Sequence, residues 1–547
     1  MWWRSTRCII VGSLLLAAAP WPAEAFQTCF CAKADAKQKY CGEIIKFDPD
    51  DAITVRVGSA PISLPTLNFA ECHAEAAPAS PASPPERRDA VVAVPAAPAT
   101  RPETPIAQAE AFGIYGSNTI GEELMPRLIA GYAQHERLLL EGDRCDGELL
   151  LRRTAAGPAV AIACSAKGSH TGIPALAAGK ADIAMLSRPI SAAEQEIMRA
   201  ADMKDMTTLR HEQAVALDGL IVIVSAQNPA SALTLDQIGR IFSGEIADWS
   251  QLALPAGRIN VYARDDDSGT RDTFNALVME PRHRKLTVSA KLFASSSDLS
   301  DQVAADPRGI GFVGYAYRRN AKVLAISEPC GIVQKATVAT IKAEDYPLSR
   351  RLYFYTGKLH SVHAANFVYY VISDAAQEVI SRSNFVNQSI EAETGAETRA
   401  RVRDFERARP TEPDLEFDVA AMQRLRLDAE HAERLSVSFR FRSGTATLDT
   451  KALQDALRLA AYLSERAHGR RILLMGFADA KGTFARNMAL SRQRAEEVRR
   501  VILATGAAIP PDAIVTRGYS ELMPVACNSD EEGREKNRRV EAWLVAE

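Results

Sequence analysis

A proline- and alanine-rich stretch at residues 76–108 divides this chain of 547 residues and limits what each side can fold into. Proline lacks a backbone donor and the small side chains around it cannot bury a core, so the composition predicts an extended, semi-rigid linker. A short cysteine-containing segment, residues 26–75, precedes it, and most of the chain follows. At about 150 residues per domain, the chain has room for three or four domains.

The first 25 residues have the layout of an export signal. Arg4 and Arg7 form a basic end, an apolar run from Cys8 to Ala19 follows, and Ala23-Glu24-Ala25 supplies a small-x-small cleavage site. The apolar run is shorter than the roughly 20 residues that a membrane span needs. We therefore expect residues 1–25 to be a cleaved signal peptide and the mature chain to be exported.

Eight cysteines remain once the signal is removed, and an even number in an exported chain predicts disulfides. They are Cys29, Cys31, Cys41, Cys72, Cys145, Cys164, Cys330 and Cys527. We expect the first four, which lie in one short segment, to crosslink it. Cys145 and Cys164 flank a stretch with the pattern of a hairpin, Leu149–Val160, and are a candidate pair. The sequence leaves the other pairings open.

Composition and charge exclude several classes of protein. Apolar residues make up 47% of the chain and charged residues 24%, which excludes a wholly disordered, collagenous or multi-span membrane protein. The chain has 65 basic and 68 acidic residues and a net charge of −3. No global positive field attracts nucleic acid, so we expect no nucleic-acid partner, and any anion must be bound by local geometry.

Residues 109–390 alternate helical and β-rich segments, which predicts an α/β fold. Within them, three segments place glycine, serine and threonine directly before a helical pattern. These segments are Tyr115-Gly116-Ser117-Asn118-Thr119-Ile120-Gly121, Lys167-Gly168-Ser169-His170-Thr171-Gly172 and Arg264-Asp265-Asp266-Asp267-Ser268-Gly269-Thr270. Unpaired amide groups and the dipole at a helix start favour a small anion there. Each segment alone also fits an ordinary helix cap.

This region resembles the PstS-type periplasmic phosphate receptors. Besides the three segments, the resemblance rests on Ser187-Arg188-Pro189-Ile190, Asp218-Gly219-Leu220, Ile241-Phe242-Ser243-Gly244-Glu245-Ile246 with Trp249, and Gly309-Ile310-Gly311-Phe312. It implies a two-lobed periplasmic-binding-protein fold of type 2 that closes over an oxyanion without chemistry. The implied oxyanion-binding residues are Ser117, Asn118, Thr119, Ser169, Arg188, Arg264, Ser268, Gly269 and Thr270.

Arg188 marks a departure from some members of that family, which have an aspartate at its position. An aspartate there accepts the proton of hydrogen phosphate and rejects fully ionised sulfate, whereas arginine only donates. Asp218 or one of the acids at 265–267 is an alternative acceptor, and capping or surface roles for these acids remain open.

We expect no catalytic residues, no metal and no cofactor.

Residues 436–547 form a compact strand–helix pattern. They contain Gly476-x-x-Asp479-x-x-Gly482, Asn487-x-x-Leu490-Ser491-x-x-Arg494-Ala495 and Asn537-Arg538-Arg539-Val540. This unit is similar to the OmpA-like peptidoglycan-binding domain. The resemblance implies that Asp479 and Arg494 bind the ammonium and carboxylate of diaminopimelate in the stem peptide. Asn487 and Arg538 are expected to support the fold.

The whole pattern indicates a periplasmic receptor for phosphate or a related oxyanion, held at the cell wall, with the outer membrane as a candidate location nearby. Residues 391–435 are expected to be a charged, helical connector between its two α/β units. The receptor family implies an ABC transporter as a candidate partner, although the sequence leaves open whether a transporter, a sensor kinase or no protein follows. One alternative is an envelope-structural protein whose lobes have lost anion binding. Another is a phosphate-ester hydrolase.

Overall fold

The computed structural model describes the backbone of five strands within residues 27–70 and the chain from 111 to 545. Not described in the second range are residues 154–158, 204, 267, 358, 360, 384, 409–417, 442–446, 467–468 and 508. The predicted signal peptide and linker lie outside the described residues. The chain divides into two compact units, Met1–Ala109 and Glu110–Glu547.

The first unit contains one antiparallel sheet with the strand order β4-β3-β2-β1-β5. Its strands are β1 (Gln27–Ala32), β2 (Asp35–Phe47), β3 (Ala52–Val57), β4 (Ala60–Pro65) and β5 (Phe69–Ala70). The backbone register places Cys29 of β1 opposite Cys41 of β2. The crosslinks predicted for this segment concern side chains outside the described part of the structure.

The second unit begins with a large mixed sheet and a small three-stranded one. Its strands are β6 (Ala111–Gly116), β7 (Leu139–Glu141), β8 (Asp146–Arg152), β9 (Ala159–Ala166), β10 (Ile183–Leu186), β11 (Glu212–Val224), β12 (Ala232–Leu233), β13 (Asn260–Arg264), β14 (Lys291–Phe293), β15 (Gly309–Gly314), β16 (Lys322–Val323), β17 (Ala325–Ser327), β18 (Val333–Gln334) and β19 (Ser349–Thr356). The large sheet has the order β14-β13-β15-β11-β19-β10-β6-β9-β8-β7, with β16 beside β11. The small sheet has the order β12-β17-β18.

Nine α-helices surround these sheets in the described residues. They are α1 (Met125–His135), α2 (Ser169–Ala177), α3 (Ala192–Ala200), α4 (Leu235–Ser243), α5 (Gly269–Phe274), α6 (Ser296–Ala305), α7 (Val338–Lys342), α8 (Val362–Val371) and α9 (Asp374–Ser381). Local sequence sets several starts, as in α3, where Ser191 and Glu194 form a reciprocal capping box. A π-helical turn, Ile120–Leu124, leads into α1.

Strand β11 joins two lobes. Residues 212–219 of β11 pair with β19 in one half of the sheet, and residues 220–224 pair with β15 in the other. Every residue of β11 is buried, as its apolar Val/Ile-rich end predicts for a central strand. Each lobe has its own core, one around Phe274 and Phe312 and the other around Phe112 and Phe367. The predicted two-lobed α/β fold is confirmed.

The C-terminal region adds a four-stranded sheet of order β20-β23-β21-β22. Its elements are α10 (Gly395–Ala408), α11 (Val419–Glu430), β20 (Ala432–Arg440), α12 (Thr450–Arg466), β21 (Ile472–Gly476), α13 (Phe484–Ala504), β22 (Ile514–Gly518), α14 (Glu531–Asn537) and β23 (Arg539–Val545). Leu425 of α11 shares a core with Phe477 and Trp543. The helices of the expected connector therefore pack onto this sheet, so they do not stand apart as a spacer.

Two disulfides crosslink the second unit. Cys145 and Cys164 pair across the hairpin of β8 and β9, which confirms the candidate pair. Cys330 and Cys527, which are 197 positions apart, join the receptor-like region to the C-terminal domain. Among the described helices, none combines the length and the apolar character needed to cross a membrane.

Candidate functional site

The three glycine- and serine-containing segments meet where the lobes face each other. The Ser117 amide donates to the Met185 carbonyl at 2.8 Å, and the Gly168 amide donates to the Gly116 carbonyl at 2.9 Å. These bonds bring the first and second segments to the same end of the sheet, because β6 lies between β9 and β10. We call residues 117–119, 169 and 268–270 the oxyanion cradle.

The third segment reaches the first from the opposite lobe. A Cβ atom at Gly269 would lie 2.1 Å from the Thr119 hydroxyl oxygen and 3.1 Å from the Thr119 amide nitrogen. Only a glycine permits this approach, which places the start of α5 against the first segment. Ser268 is buried, and its hydroxyl accepts from the Arg271 amide as the cap of α5.

Arg350 is a cationic group of the cradle that the sequence analysis missed. Its Nε and Nη2 atoms donate to Asp218 Oδ2 at 3.0 and 2.7 Å. Its Nη1 lies 3.4 Å from the Gly269 carbonyl oxygen, and its Nη2 lies 3.4 Å from the Thr119 hydroxyl. Both members of the Arg350–Asp218 pair are buried. The pair therefore joins the lobes at the point where the segments converge.

The register of two distant strands explains why Arg350 was missed. Asp218 of β11 lies directly opposite Arg350 of β19 in the antiparallel ladder, although the two are 132 positions apart in the chain. No motif around Arg350 distinguishes it from its neighbour Arg351. The only signal in the sequence was its partner Asp218, which was a candidate acceptor.

Ser169 lies in the cradle but is already hydrogen-bonded. Its hydroxyl oxygen lies 3.2 Å from the Ser187 hydroxyl and accepts from the Ser187 amide at the same distance. The second segment is thereby tied to the end of β10. An anion at this position would share the Ser169 hydroxyl with Ser187.

Two predicted arginines bind partners outside the cradle. Arg188 donates to both carboxylate oxygens of Glu194, at 2.7 and 2.9 Å. Burial tends to raise the pKa of Glu194, but hydrogen bonds from Arg188 and Ser191 lower it overall. Arg264 donates to Ser296 Oγ at 2.6 Å and to two backbone carbonyls nearby. Among the described residues, neither guanidinium makes a hydrogen bond to the cradle.

The alternative acids occupy different environments. Asp218 is buried and bound by Arg350, which in turn contacts Thr119 and Gly269 of the cradle. Asp266 forms an exposed ion pair with Arg271 at 2.8 Å, and Asp265 lies 3.9 Å from Arg264. Asp267 lies outside the described residues. Asp218 is thus the candidate acceptor that the structure brings to the cradle.

The predicted pair of the C-terminal domain lies in a pocket of about 230 Å³. Its lining residues are Ala478, Asp479, Lys481, Gly482, Arg486, Asn487, Leu490, Arg494 and Arg538. Arg494 is buried, and its Nε and Nη1 atoms have no hydrogen-bond partner within the described part of the chain. Burial and the nearby Arg538 lower the pKa of Arg494. A buried guanidinium with unused donors is suited to a carboxylate.

Arg538 holds the carboxylate of Asp479. Its Nη1 donates to Asp479 Oδ2 at 2.8 Å, and its Nη2 donates to Glu531 at 3.0 Å. The buried Asn487 side chain donates to the Asp479 carbonyl and to Glu521, each at 2.9 Å. Arg538 and Asn487 thus position the loop that carries Asp479.

Comparisons with known proteins agree with the division of the chain into a receptor-like region and a C-terminal domain. A family model described as a PBP superfamily domain matches residues 149–375, and a model of the OmpA family matches residues 440–538. Protein SphX of Synechococcus elongatus is 28% identical over 256 residues, which cover 44% of this chain and 73% of that protein. Phosphate-binding protein PstS of Staphylococcus haemolyticus is 29% identical over 205 residues, which cover 36% of this chain.

The alignment with the staphylococcal protein spans 62% of that protein, less than two thirds of its length. Among solved structures, an ABC-type phosphate transport receptor from Vibrio cholerae is 24% identical, with a TM-score of 0.39. That alignment covers 50% of this chain and 99% of the receptor. By sequence, residues 149–375 thus match the PBP superfamily domain and resemble phosphate-binding proteins, and residues 440–538 match the OmpA family.

Proposed function

We propose that the protein captures phosphate or a similar tetrahedral oxyanion between its two lobes, while its C-terminal domain anchors it non-covalently to peptidoglycan. In this proposal residues 109–390 are the receptor and residues 436–547 the wall-binding domain. The protein acts in the periplasm after export and leaves its ligand chemically unchanged. The similarity to phosphate-binding proteins supports the first half, and the OmpA family match supports the second.

The buried Arg350–Asp218 pair carries the oxyanion half of the proposal. Arg350 supplies positive charge where Thr119 and Gly269 meet, and Asp218 offsets that charge. An anion in the cradle would therefore be held by the Arg350 guanidinium together with the hydroxyl and amide donors around it. Such donors are already oriented before the ligand arrives, which lowers the cost of binding.

Asp218 also gives the site a way to prefer phosphate to sulfate. A carboxylate only accepts hydrogen bonds, so it pairs with the proton of hydrogen phosphate and repels sulfate, which has none. Arg188 cannot make this distinction, and its guanidinium is bound to Glu194. We therefore assign the selectivity to Asp218.

The unpaired donors of Arg494 support the peptidoglycan half. The diaminopimelate side chain ends in an ammonium and a carboxylate. Arg494 would bind the carboxylate, and Asp479, held by Arg538, would bind the ammonium. Both groups face the same pocket of about 230 Å³.

A second candidate function is an envelope-structural protein that binds peptidoglycan without capturing an anion. The observation that favours it is the internal pairing of Arg188 and Arg264, two predicted anion ligands. An ABC transporter belongs to the first function alone, since a structural protein delivers nothing to a partner.

Calorimetric titration of the mature chain with phosphate and then sulfate tests the receptor function. We expect saturable phosphate binding, weaker sulfate binding, and a loss of both in Ser268→Ala. Ser295→Ala is the matched control, because Ser295 caps α6 as Ser268 caps α5 but lies outside the cradle. Folded protein that produces no heat with either anion would support the structural alternative.

Sedimentation with isolated peptidoglycan sacculi tests the anchoring function separately. We expect Arg494→Gln to reduce the bound fraction. The control is Arg500→Gln on the same helix, since Arg500 is exposed and paired only with Glu497. Equal sedimentation of both variants would contradict the assignment of Arg494.

A further inference from the structure

Another pocket of the C-terminal domain, of about 320 Å³, lies between α11, α13 and β22. Its lining residues are Arg424, Met488, Arg492, Thr516, Arg517 and Gly518. It shares no lining residue with the Asp479 pocket. We call it the arginine pocket. Its volume falls within the range of about 300–1,000 Å³ that is usual for small-ligand sites.

Packed elements form the walls of the arginine pocket. Helix α11 is fixed to the sheet through Met422 and Leu425, which belong to the same core as Trp543. On the other side, a Cβ atom at Gly518 would lie 2.5 Å from the Met488 carbonyl oxygen. Strand β22 therefore contacts the backbone of α13 directly, and the three arginines project from elements that cannot move apart freely.

The pocket carries excess positive charge. The exposed side chains of Arg424 and Arg492 have no ion pair or hydrogen bond to any described residue, and the exposed Arg517 lies 3.8 Å from Asp428. Asp428 also accepts from the Tyr519 hydroxyl. The other acid at the rim, Glu496, accepts from the Thr516 hydroxyl and lies 3.7 Å from Arg499. Both acids thus have partners, and two guanidinium groups remain uncompensated.

We propose that the arginine pocket binds an oxyanion group, a carboxylate or a phosphate, at a site separate from the cradle and from the Asp479 pocket. Three guanidinium groups around one cavity repel one another, and a bound oxyanion relieves that repulsion. Arginine also presents paired N–H donors that match two oxygens of a carboxylate or phosphate. The aliphatic wall of Met488 lets a carbon-bearing ligand approach.

Helix α13 links the arginine pocket to the Asp479 pocket. Asn487, Leu490 and Arg494, at spacings of three and four, face the Asp479 pocket, while Met488 and Arg492 face the arginine pocket. One residue corresponds to about 100° around a helix, so the two sites lie on adjacent faces. The oxyanion therefore has two possible sources, a second acidic group of the cell-wall polymer or a free inorganic anion.

The test uses the full mature chain with the double substitution Arg424→Gln/Arg492→Gln. The control is Arg426→Gln/Arg500→Gln, which removes the same charge from the same two helices at equally exposed positions that do not line the pocket and have intrahelical partners. Both proteins are sedimented with isolated sacculi and titrated with inorganic phosphate. Arg494→Gln and Ser268→Ala, measured in parallel, report on the proposed function independently.

A sacculus affinity at least about tenfold lower than that of the control identifies the polymer as the source, since the loss of even one charged hydrogen bond weakens binding by about that factor. A loss of one phosphate equivalent per chain, with unchanged sacculus affinity, identifies a free anion. If the double variant matches the control in both measurements, the proposal is overturned, whatever Arg494→Gln and Ser268→Ala do.

Discussion

The two neighbouring arginines of β19 face opposite sides of the sheet that joins the lobes. Arg350 contacts Asp218, Thr119 and Gly269 in the cradle. Arg351 donates to both oxygens of Glu344, at 2.5 and 2.8 Å, and to Asp449 of the C-terminal domain at 2.8 Å. Successive side chains of a strand alternate between its faces, so one strand serves the ligand on one side and the second domain on the other.

On the face of the sheet where Arg351 lies, a group of polar side chains connects the two domains. We call this group the interdomain brace; it consists of Arg351, Glu344, Asp449, Glu212 and Thr450. Burial tends to raise the pKa of Glu344, but the nearby cations, with Arg351 first, lower it to about 2. Thr450 donates to Glu212 on β11. The brace therefore ties the C-terminal domain to β11, which joins the lobes, and to its neighbour β19.

Two further contacts strengthen the attachment on the brace side. Arg434 of β20 lies 2.8 Å from Asp345, and both side chains are almost fully buried. The Cys330–Cys527 disulfide adds a covalent link. The cradle side, in contrast, is held together by the Arg350–Asp218 pair and close backbone contacts. The comparison indicates that charged, buried contacts and one disulfide hold the C-terminal domain to the receptor-like region.

The largest expected effect follows from Arg350→Met. The substitution leaves Asp218 buried without its cation, which costs about 3–5 kcal/mol of unfolding free energy, and it removes phosphate binding. Adding Asp218→Asn removes the stranded charge, so we expect stability to recover while binding stays lost. Urea denaturation and calorimetry measure the two effects. Normal phosphate affinity in Arg350→Met would show that the cradle does not depend on this residue.

The next largest effect is expected from removing the disulfide that links the two domains. Cys330→Ser/Cys527→Ser opens a crosslink between positions 197 apart, whereas Cys145→Ser/Cys164→Ser opens one between positions 19 apart. Because loop-closure entropy grows with loop length, we expect the first variant to lose about 2 kcal/mol more unfolding free energy than the second. Denaturant titration of both variants measures the difference. Equal losses would mean that the interface already closes the long loop without the disulfide.

A smaller effect is expected from Arg351→Gln. The charged hydrogen bonds to Glu344 and Asp449 are lost, at a cost of about 2 kcal/mol, while direct contacts with the anion are untouched. Phosphate affinity should therefore change much less than in Arg350→Met. Arg382→Gln, which breaks an exposed pair with Glu378, is the control and should be close to neutral. A loss of phosphate binding as large as that of Arg350→Met would contradict the assignment of Arg350 to the ligand side of β19 and of Arg351 to the domain side.

The smallest expected effect is a pH dependence of the stability that Glu212 contributes in the interdomain brace. Burial raises the pKa of Glu212, although hydrogen bonds from Thr450 and Tyr355 and the charge of Arg351 oppose the shift. A carboxyl group with a raised folded-state pKa contributes stability below its unfolded pKa and loses it as the pH rises through the folded value. Thermal unfolding of Glu212→Gln between pH 4 and 8 should lack this decline.

Glu378→Gln, at an exposed position, is the control for the pH series. It should follow the wild-type profile across the range. If Glu212→Gln also follows it, Glu212 does not titrate differently in the folded and unfolded states.

Local signals predicted much of the molecule. Helix caps, glycine positions and apolar periodicity operate over a few residues, and they indicated the three segments of the cradle. The Asp479–Arg494 pair was implied by the resemblance to the OmpA-like domain. The Cys145–Cys164 disulfide could be predicted because both cysteines flank a single hairpin. The two-lobed fold and the OmpA family domain followed from motifs whose order and spacing are written in the chain.

The sequence by itself thus determined which segments offer donors for an anion and which domain follows them. Only the tertiary structure decided which charges meet. Arg350 reaches the cradle through the register of β11 and β19, and Cys330 reaches Cys527 through the packing of two domains. Arg188 and Arg264 were predicted in the cradle but bind nearer partners. The physical reason is that a charge takes its partner from the folded surroundings, which strand register and packing set across more than a hundred residues.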